Sequence, residues 1–125
     1  MNLLLDTHVL LWCLGAPERL QRETRRKIEK PDTVVFVSAA SAWEIEMKRS
    51  LGKLKAPSDL EEQLQEKRFT ELPIRLRHVQ SLRSLPSLHR DPFDRMLVAQ
   101  AVAENLVLVT ADEKLRAYPV RTMEA

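Results

Sequence analysis

Three consecutive leucines, Leu3-Leu4-Leu5, followed at once by Asp6, constrain this chain more than any other stretch. Three apolar residues are too few for a helix. An unbroken apolar run suits a strand covered on both faces, as in the middle of a parallel sheet. Thr7-His8 breaks the run, and Val9-Leu10-Leu11-Trp12 resumes it with helical spacing. Asp6 therefore stands where a buried strand passes into a helix. In open α/β sheets that carboxyl edge is where ligands bind. A helix cap is the alternative use for the same aspartate.

The remainder of the chain repeats this pattern. Val34-Val35-Phe36-Val37 predicts a second strand, bounded by Pro31-Asp32 and Ser38. A helix is expected from Ala39 to Leu51, closed by Gly52. Its 3.6-residue period puts Ala40, Trp43, Met47 and Leu51 on a buried stripe, with Glu44 at the margin and one turn from Lys48. Further helices are expected over Val9–Leu14, Pro17–Glu29, Asp59–Phe69 and Arg75–Leu85, the last with Leu76, Val79 and Leu82 inward. The Arg19, Arg22, Arg26 and Lys30 stripe reads as a solvated face. Thr70–Ile74 is a short strand that Pro73 confines to an edge. Leu106–Val109 is another buried strand, ending in Thr110-Ala111-Asp112, and Tyr118–Thr122 a last short one.

The most informative helix is expected from Pro92 to Asn105. Asp91 is a good N-cap and Pro92 a good first position. Asp94 could close a capping box. Yet Leu97, Val98 and Ala101 follow it at i+3, i+4 and i+7, so it is the lone charge on an apolar face. A carboxylate facing inward needs a compensating cation or hydrogen bonds.

With 125 residues, 44% apolar and 30% charged, the chain suits one α/β domain spanning 1–125. The net charge of +2 permits a nucleic-acid partner without demanding one. The single cysteine, Cys13, fits a reducing compartment, and no run approaches the ~18 apolar residues of a membrane span. A cytoplasmic protein is the expectation.

If the sheet is parallel, Asp6, Glu44, Asp94 and Asp112 all reach one edge, with Thr7, Ser38 and Thr110 as hydroxyl neighbours. Such a cluster is unfavourable by itself. Two unit charges at 4 Å repel by about 4 kcal/mol at an effective dielectric of ~20. Oxygen ligands favour Mg2+ or Mn2+ over zinc. Pairs of such ions, roughly 3.5–4 Å apart, are common machinery for phosphodiester hydrolysis.

The stretches LLLDTHVLLW, VSAASAWEIEMKRSLGKL, LPSLHRDPFDRMLVAQA and LVLVTADEKL resemble the PIN-domain ribonucleases, in particular the VapC-type toxins of bacterial toxin–antitoxin pairs. The resemblance spans the whole chain in the right order. It implies a three-layer α/β/α fold with a mostly parallel central sheet of four to five strands. It matches Asp6, Glu44, Asp94 and Asp112 to the family's acidic quartet and Thr110 to its hydroxyl near the metal, with Asp112 the least uniform position. It further implies Mg2+- or Mn2+-dependent endonucleolytic cleavage of RNA, a homodimer, and inhibition by a cognate antitoxin whose tail covers the site. Asp91 and His89 fall in the motif's surroundings and are not counted as ligands; neither is His78. A haloacid-dehalogenase phosphatase needs a second aspartate where His8 stands, and a response-regulator receiver needs one where the second strand ends in Ser38. A PIN-like RNA-binding or protein-interaction module that does not cut is the remaining alternative.

Overall fold

The computed structural model describes residues 1–125. Five strands form one sheet: β1 (Asn2–Leu5), β2 (Val34–Ser38), β3 (Thr70–Leu72), β4 (Val107–Thr110) and β5 (Thr122–Glu124). Their spatial order is β3-β2-β1-β4-β5, and every neighbouring pair is parallel. The leucine run explains the arrangement. Leu3, Leu4 and Leu5 are wholly buried because β1 is central, with Leu5 opposite Val37 on one side and Val109 on the other.

Six helices cover the sheet: α1 (Thr7–Gly15), α2 (Arg22–Glu29), α3 (Ala39–Ser50), α4 (Leu60–Glu66), α5 (Leu76–Ser81) and α6 (Pro92–Glu104). Successive strand residues point to opposite faces. Leu3, Leu5, Val35, Val37 and Val109 accordingly join Val9, Leu10, Leu20 and Ile28 in one core. Leu4 and Leu108 join Leu97, Val98, Ala101 and Tyr118 in the other. These two cores on either side of a sheet make the three-layer fold. The chain steps outward from β1 through β2 to β3, then returns to place β4 on β1's other side. The strand order thus reverses between β1 and β4, the switch point where ligands bind in such sheets.

Several local expectations are corrected. Trp43, Met47 and Leu51 are exposed, and the buried face of α3 is Ala40, Ser41, Glu44 and Ile45. This helix packs against both α1 and α6, and that packing, not the size of its side chains, selects the face it buries. In α5 the inward residue is His78, wholly buried, whereas Leu76 and Val79 are exposed. The expected Pro17–Glu29 helix is a 3-10 turn, Pro17–Arg19, followed by α2, so its basic stripe is broken and Arg19 instead stacks on the Trp12 ring. The strand β3 stops before Pro73, at the sheet edge as expected. The last strand begins only at Thr122, because Tyr118 turns into the core beside α6.

Candidate active site

Asp6 caps α1: its Oδ1 accepts the Val9 N–H at 2.8 Å. Its backbone N–H donates to the Val109 carbonyl, which holds it against the end of β4. Burial raises its pKa above the usual value and outweighs the neighbouring Thr110 hydroxyl and Val9 N–H, which lower it, with Asp112 adding repulsion. Asp6 is thus both a cap and a buried acid.

Glu44 is almost fully buried. Its Oε1 accepts from the Thr7 hydroxyl at 2.6 Å and its Oε2 from Lys48 Nζ at 2.6 Å. The Ser41 hydroxyl lies 3.1 Å from Thr7 Oγ1 and completes this group. The Lys48 pair expected from the i,i+4 spacing therefore forms, and it offsets the charge that burial would otherwise exclude. Glu44 in turn raises the Lys48 pKa.

Asp94 makes no cap. Asp91 Oδ1 accepts from both Phe93 N–H, at 2.9 Å, and Asp94 N–H, at 3.0 Å, so the helix start is satisfied without Asp94's side chain. That side chain is pushed up to a pKa of about 6, first by burial, then by Asp91, with Glu44 and Asp6 adding to the rise. A hydrogen bond from His89 opposes the shift without cancelling it. Asp112 caps the 3-10 turn Glu113–Ala117 through Lys114 N–H and is oriented by its own N–H donating to Thr110 Oγ1 at 3.0 Å.

The four acids thus sense one another at the carboxyl edge of β1, β2 and β4. Ser38 does not join them: its hydroxyl caps α3 and bonds Gln100. The closest convergence includes a residue sequence reasoning left out. His89 Nε2 lies 2.9 Å from Asp94 Oδ2 and 4.0 Å from Asp112 Oδ2. One donor atom from each of these three residues lies within 4.8 Å of the others. Asp6 and Glu44 are outside that tight trio. The only signal for His89 is its place five residues before Asp94 in the LHRDPFD stretch, and loops carry no periodicity to reveal a side chain's direction. Arg95 of the same stretch also has a role: it bonds the Leu82 and Pro86 carbonyls and the Tyr118 hydroxyl, pinning the loop that bears His89.

The donors suit a hard divalent cation. Four carboxylates face one full positive charge, Lys48, and two of them, Asp6 and Asp94, are held above their usual pKa. A cavity of about 570 Å3 lies at the opposite, amino edge of β2 and β3, between Cys13, Leu20, Ile28 and Phe69, and shares no residue with the acids.

Fold and site together define a class: a parallel α/β domain with an acidic centre at the switch point of its sheet. The chain belongs to the PIN-domain family, on its VapC-type ribonuclease branch. The PIN domain model matches residues 3–120. The chain is 31% identical over 122 residues to Ribonuclease VapC22 of Mycobacterium tuberculosis, covering 94% of this chain and 92% of that one. Its fold matches VapBC2 from Rickettsia felis bound to a promoter DNA fragment, with a TM-score of 0.72 at 18% identity, over 99% of this chain and 98% of that one. DNA-bound VapBC from Salmonella typhimurium gives 0.68 at 17% identity, over 99% and 98%.

Proposed function

We propose that this chain is a Mg2+- or Mn2+-dependent endoribonuclease, the toxin of a toxin–antitoxin pair, which blocks translation by cutting RNA in the cytoplasm. The observation that carries the reading is the under-compensated group of Asp6, Glu44, Asp94 and Asp112, with Asp94 held at a pKa of about 6. The similarity to a VapC ribonuclease supports the substrate class. These four acids are the proposed holders of the metal, with the Thr110 hydroxyl beside Asp6 and Asp112. A divalent ion bound there supplies Lewis acidity toward water and neutralises charge on the phosphate.

The chain's own groups make that site rigid. Val9 N–H fixes one oxygen of Asp6; Thr7 and Lys48 fix both oxygens of Glu44. Asp94 rides on the first turn of α6, whose cap is provided by Asp91. Lys48, a third exposed, offers a positive charge at the rim toward the RNA backbone. Its antitoxin is a small protein whose arginine-bearing tail enters the acidic pocket and pairs with the carboxylates in place of metal. A homodimer is the expected assembly.

Incubating purified protein with total RNA, with and without Mg2+ or Mn2+, and mapping the new ends tests the reading. Asp6→Asn, Glu44→Gln and Asp94→Asn should each abolish most metal-dependent cleavage, and Asp112→Asn should do less. Full activity in Asp94→Asn, or RNA binding with no new ends in the parent, overturns the enzyme in favour of a non-cleaving module.

A further inference from the structure

His89 stands in the loop between α5 and α6 and on either side of it the chain is held. Ahead of it, Arg95 Nη1 and Nη2 donate to the Pro86 and Leu82 carbonyls, at 2.9 and 3.3 Å. Behind it, Asp91 caps α6. The Tyr118 hydroxyl, itself bonded by Arg95, reaches the His89 carbonyl at 3.5 Å. The backbone therefore aims the imidazole, which is only 17% exposed, into the acidic pocket.

A hydrogen bond to Asp94 accounts for the 2.9 Å contact but not for the second carboxylate, Asp112, at 4.0 Å from the same nitrogen. These residues come from different segments, α6 and the turn after β4, and His89 Nε2 faces both. Octahedral metal–donor bonds of about 2.0–2.1 Å separate donors on one ion by roughly 2.8–4.2 Å. The two separations from Nε2 fall at or close to those limits. We propose that His89 is a nitrogen ligand of the divalent ion, joining Asp94 and Asp112, and that it biases the site toward Mn2+ over Mg2+.

The bias follows from ligand chemistry. Mg2+ is a hard ion that keeps oxygen ligands and water; Mn2+ shares the preference for carboxylates but, as a first-row divalent ion, also takes a nitrogen donor that Mg2+ does not. The inference rests on the reading that these acids hold a divalent ion, and adds a fifth donor with a different preference.

The test titrates the metal-free, full-length protein with Mn2+, followed by electron paramagnetic resonance, and with Mg2+, followed by calorimetry. The parent, His89→Ala and His89→Gln are compared after circular dichroism has shown each to be folded. His89→Ala should weaken Mn2+ binding tenfold or more and Mg2+ binding less than threefold. Electron spin-echo modulation should show directly bonded 14N in the Mn2+-loaded parent and lose it in both variants. His89→Gln keeps a hydrogen bond to Asp94 without an imidazole nitrogen, so it should behave like His89→Ala. Parental Mn2+ affinity in His89→Gln, or equal losses for both ions, reduces His89 to a hydrogen-bond partner and overturns the proposal. Absence of the 14N signal in a Mn2+-loaded parent does the same while leaving the acidic centre standing. Failure of the parent to bind either ion overturns the metal-centre reading itself.

Discussion

Asp94 holds its proton more tightly in the folded protein than in the unfolded chain, since its pKa rises from 3.8 to about 6. Below about pH 4 both states are protonated and the group is neutral to stability. From about pH 4 to 6 the unfolded chain ionises first, so metal-free stability falls as pH rises, and above 6 the penalty is complete. A two-unit rise corresponds to a penalty on the order of 3 kcal/mol, less whatever water screens at a side chain 20% exposed. Asp94→Asn should therefore melt several degrees higher than the parent in chelator at pH 7. Mn2+ at about a thousandfold excess over Kd should reverse the order, because the parent then gains about 4.1 kcal/mol, more than the penalty. Melting curves of both proteins with and without metal check this; parallel shifts contradict it. Lys48 acts in the opposite sense. Lys48→Met strands the buried Glu44 carboxylate with Thr7 as its remaining side-chain donor, at a cost of about 2–3 kcal/mol. Lys48→Met/Glu44→Gln should recover most of the loss in urea unfolding, since the unpaired charge is gone.

The helices differ in what holds them. Phe93, Leu97, Val98, Ala99 and Ala101 bury α6, while Val102 is exposed, and the helix ends on Asn105 in the left-handed conformation at φ 57°. By contrast, α5 leaves Leu76 and Val79 outside and is fastened by polar groups. His78 Nδ1 accepts the Arg75 N–H at 3.0 Å, and its Nε2 lies 2.8 Å from Glu104 Oε2 on α6. Arg77 reaches the same carboxylate, whose pKa these two neighbours lower. Gln100 extends the staple from α6 to the Pro73 carbonyl at 3.2 Å. His78→Ala should leave the Arg75 N–H unsatisfied and a cavity behind it, costing about 2–4 kcal/mol by thermal or urea unfolding. Hydrogen exchange should rise first across α5.

Over the molecule's surface, three of the nine exposed large apolar residues form one line. Trp43, Met47 and Leu51 stand one turn apart along α3, and the Trp43 ring meets Phe93 edge-on with centroids 4.9 Å apart. A line of this kind suits a protein contact, and it is the face on which the proposed homodimer is tested. Met47→Glu/Leu51→Glu, which leaves the Trp43–Phe93 contact intact, should convert a dimer to a monomer in light scattering without lowering the melting temperature of the isolated chain. A parent that is monomeric at high micromolar concentration contradicts the assignment.

Where neighbouring residues alone set the outcome, the chain was readable. Apolar runs made β1, β2 and β4; Gly52, Pro31 and Asn105 marked helix ends; and acids after β1 and β4 and early in α3 and α6 pointed to one edge. Asp91 and Pro92 announced the start of α6 because capping is a matter of adjacent groups. Periodicity failed on α3, which has two faces compatible with burial. It placed Trp43, Met47 and Leu51 inward with Ala40; Ala40 is buried, but the helix packed against α1 and α6 turns Ser41, Glu44 and Ile45 inward instead of the other three. The same limit hid His78 and His89, whose partners are polar groups brought from elsewhere in the chain. Thr7 and Glu44 meet across 37 residues, and His89 meets Asp112 only because β4 returns beside β1. Strand and helix identity is written in local patterns; the buried face of a helix and the spacing of charged groups come from contacts between distant segments, which the packed fold alone creates.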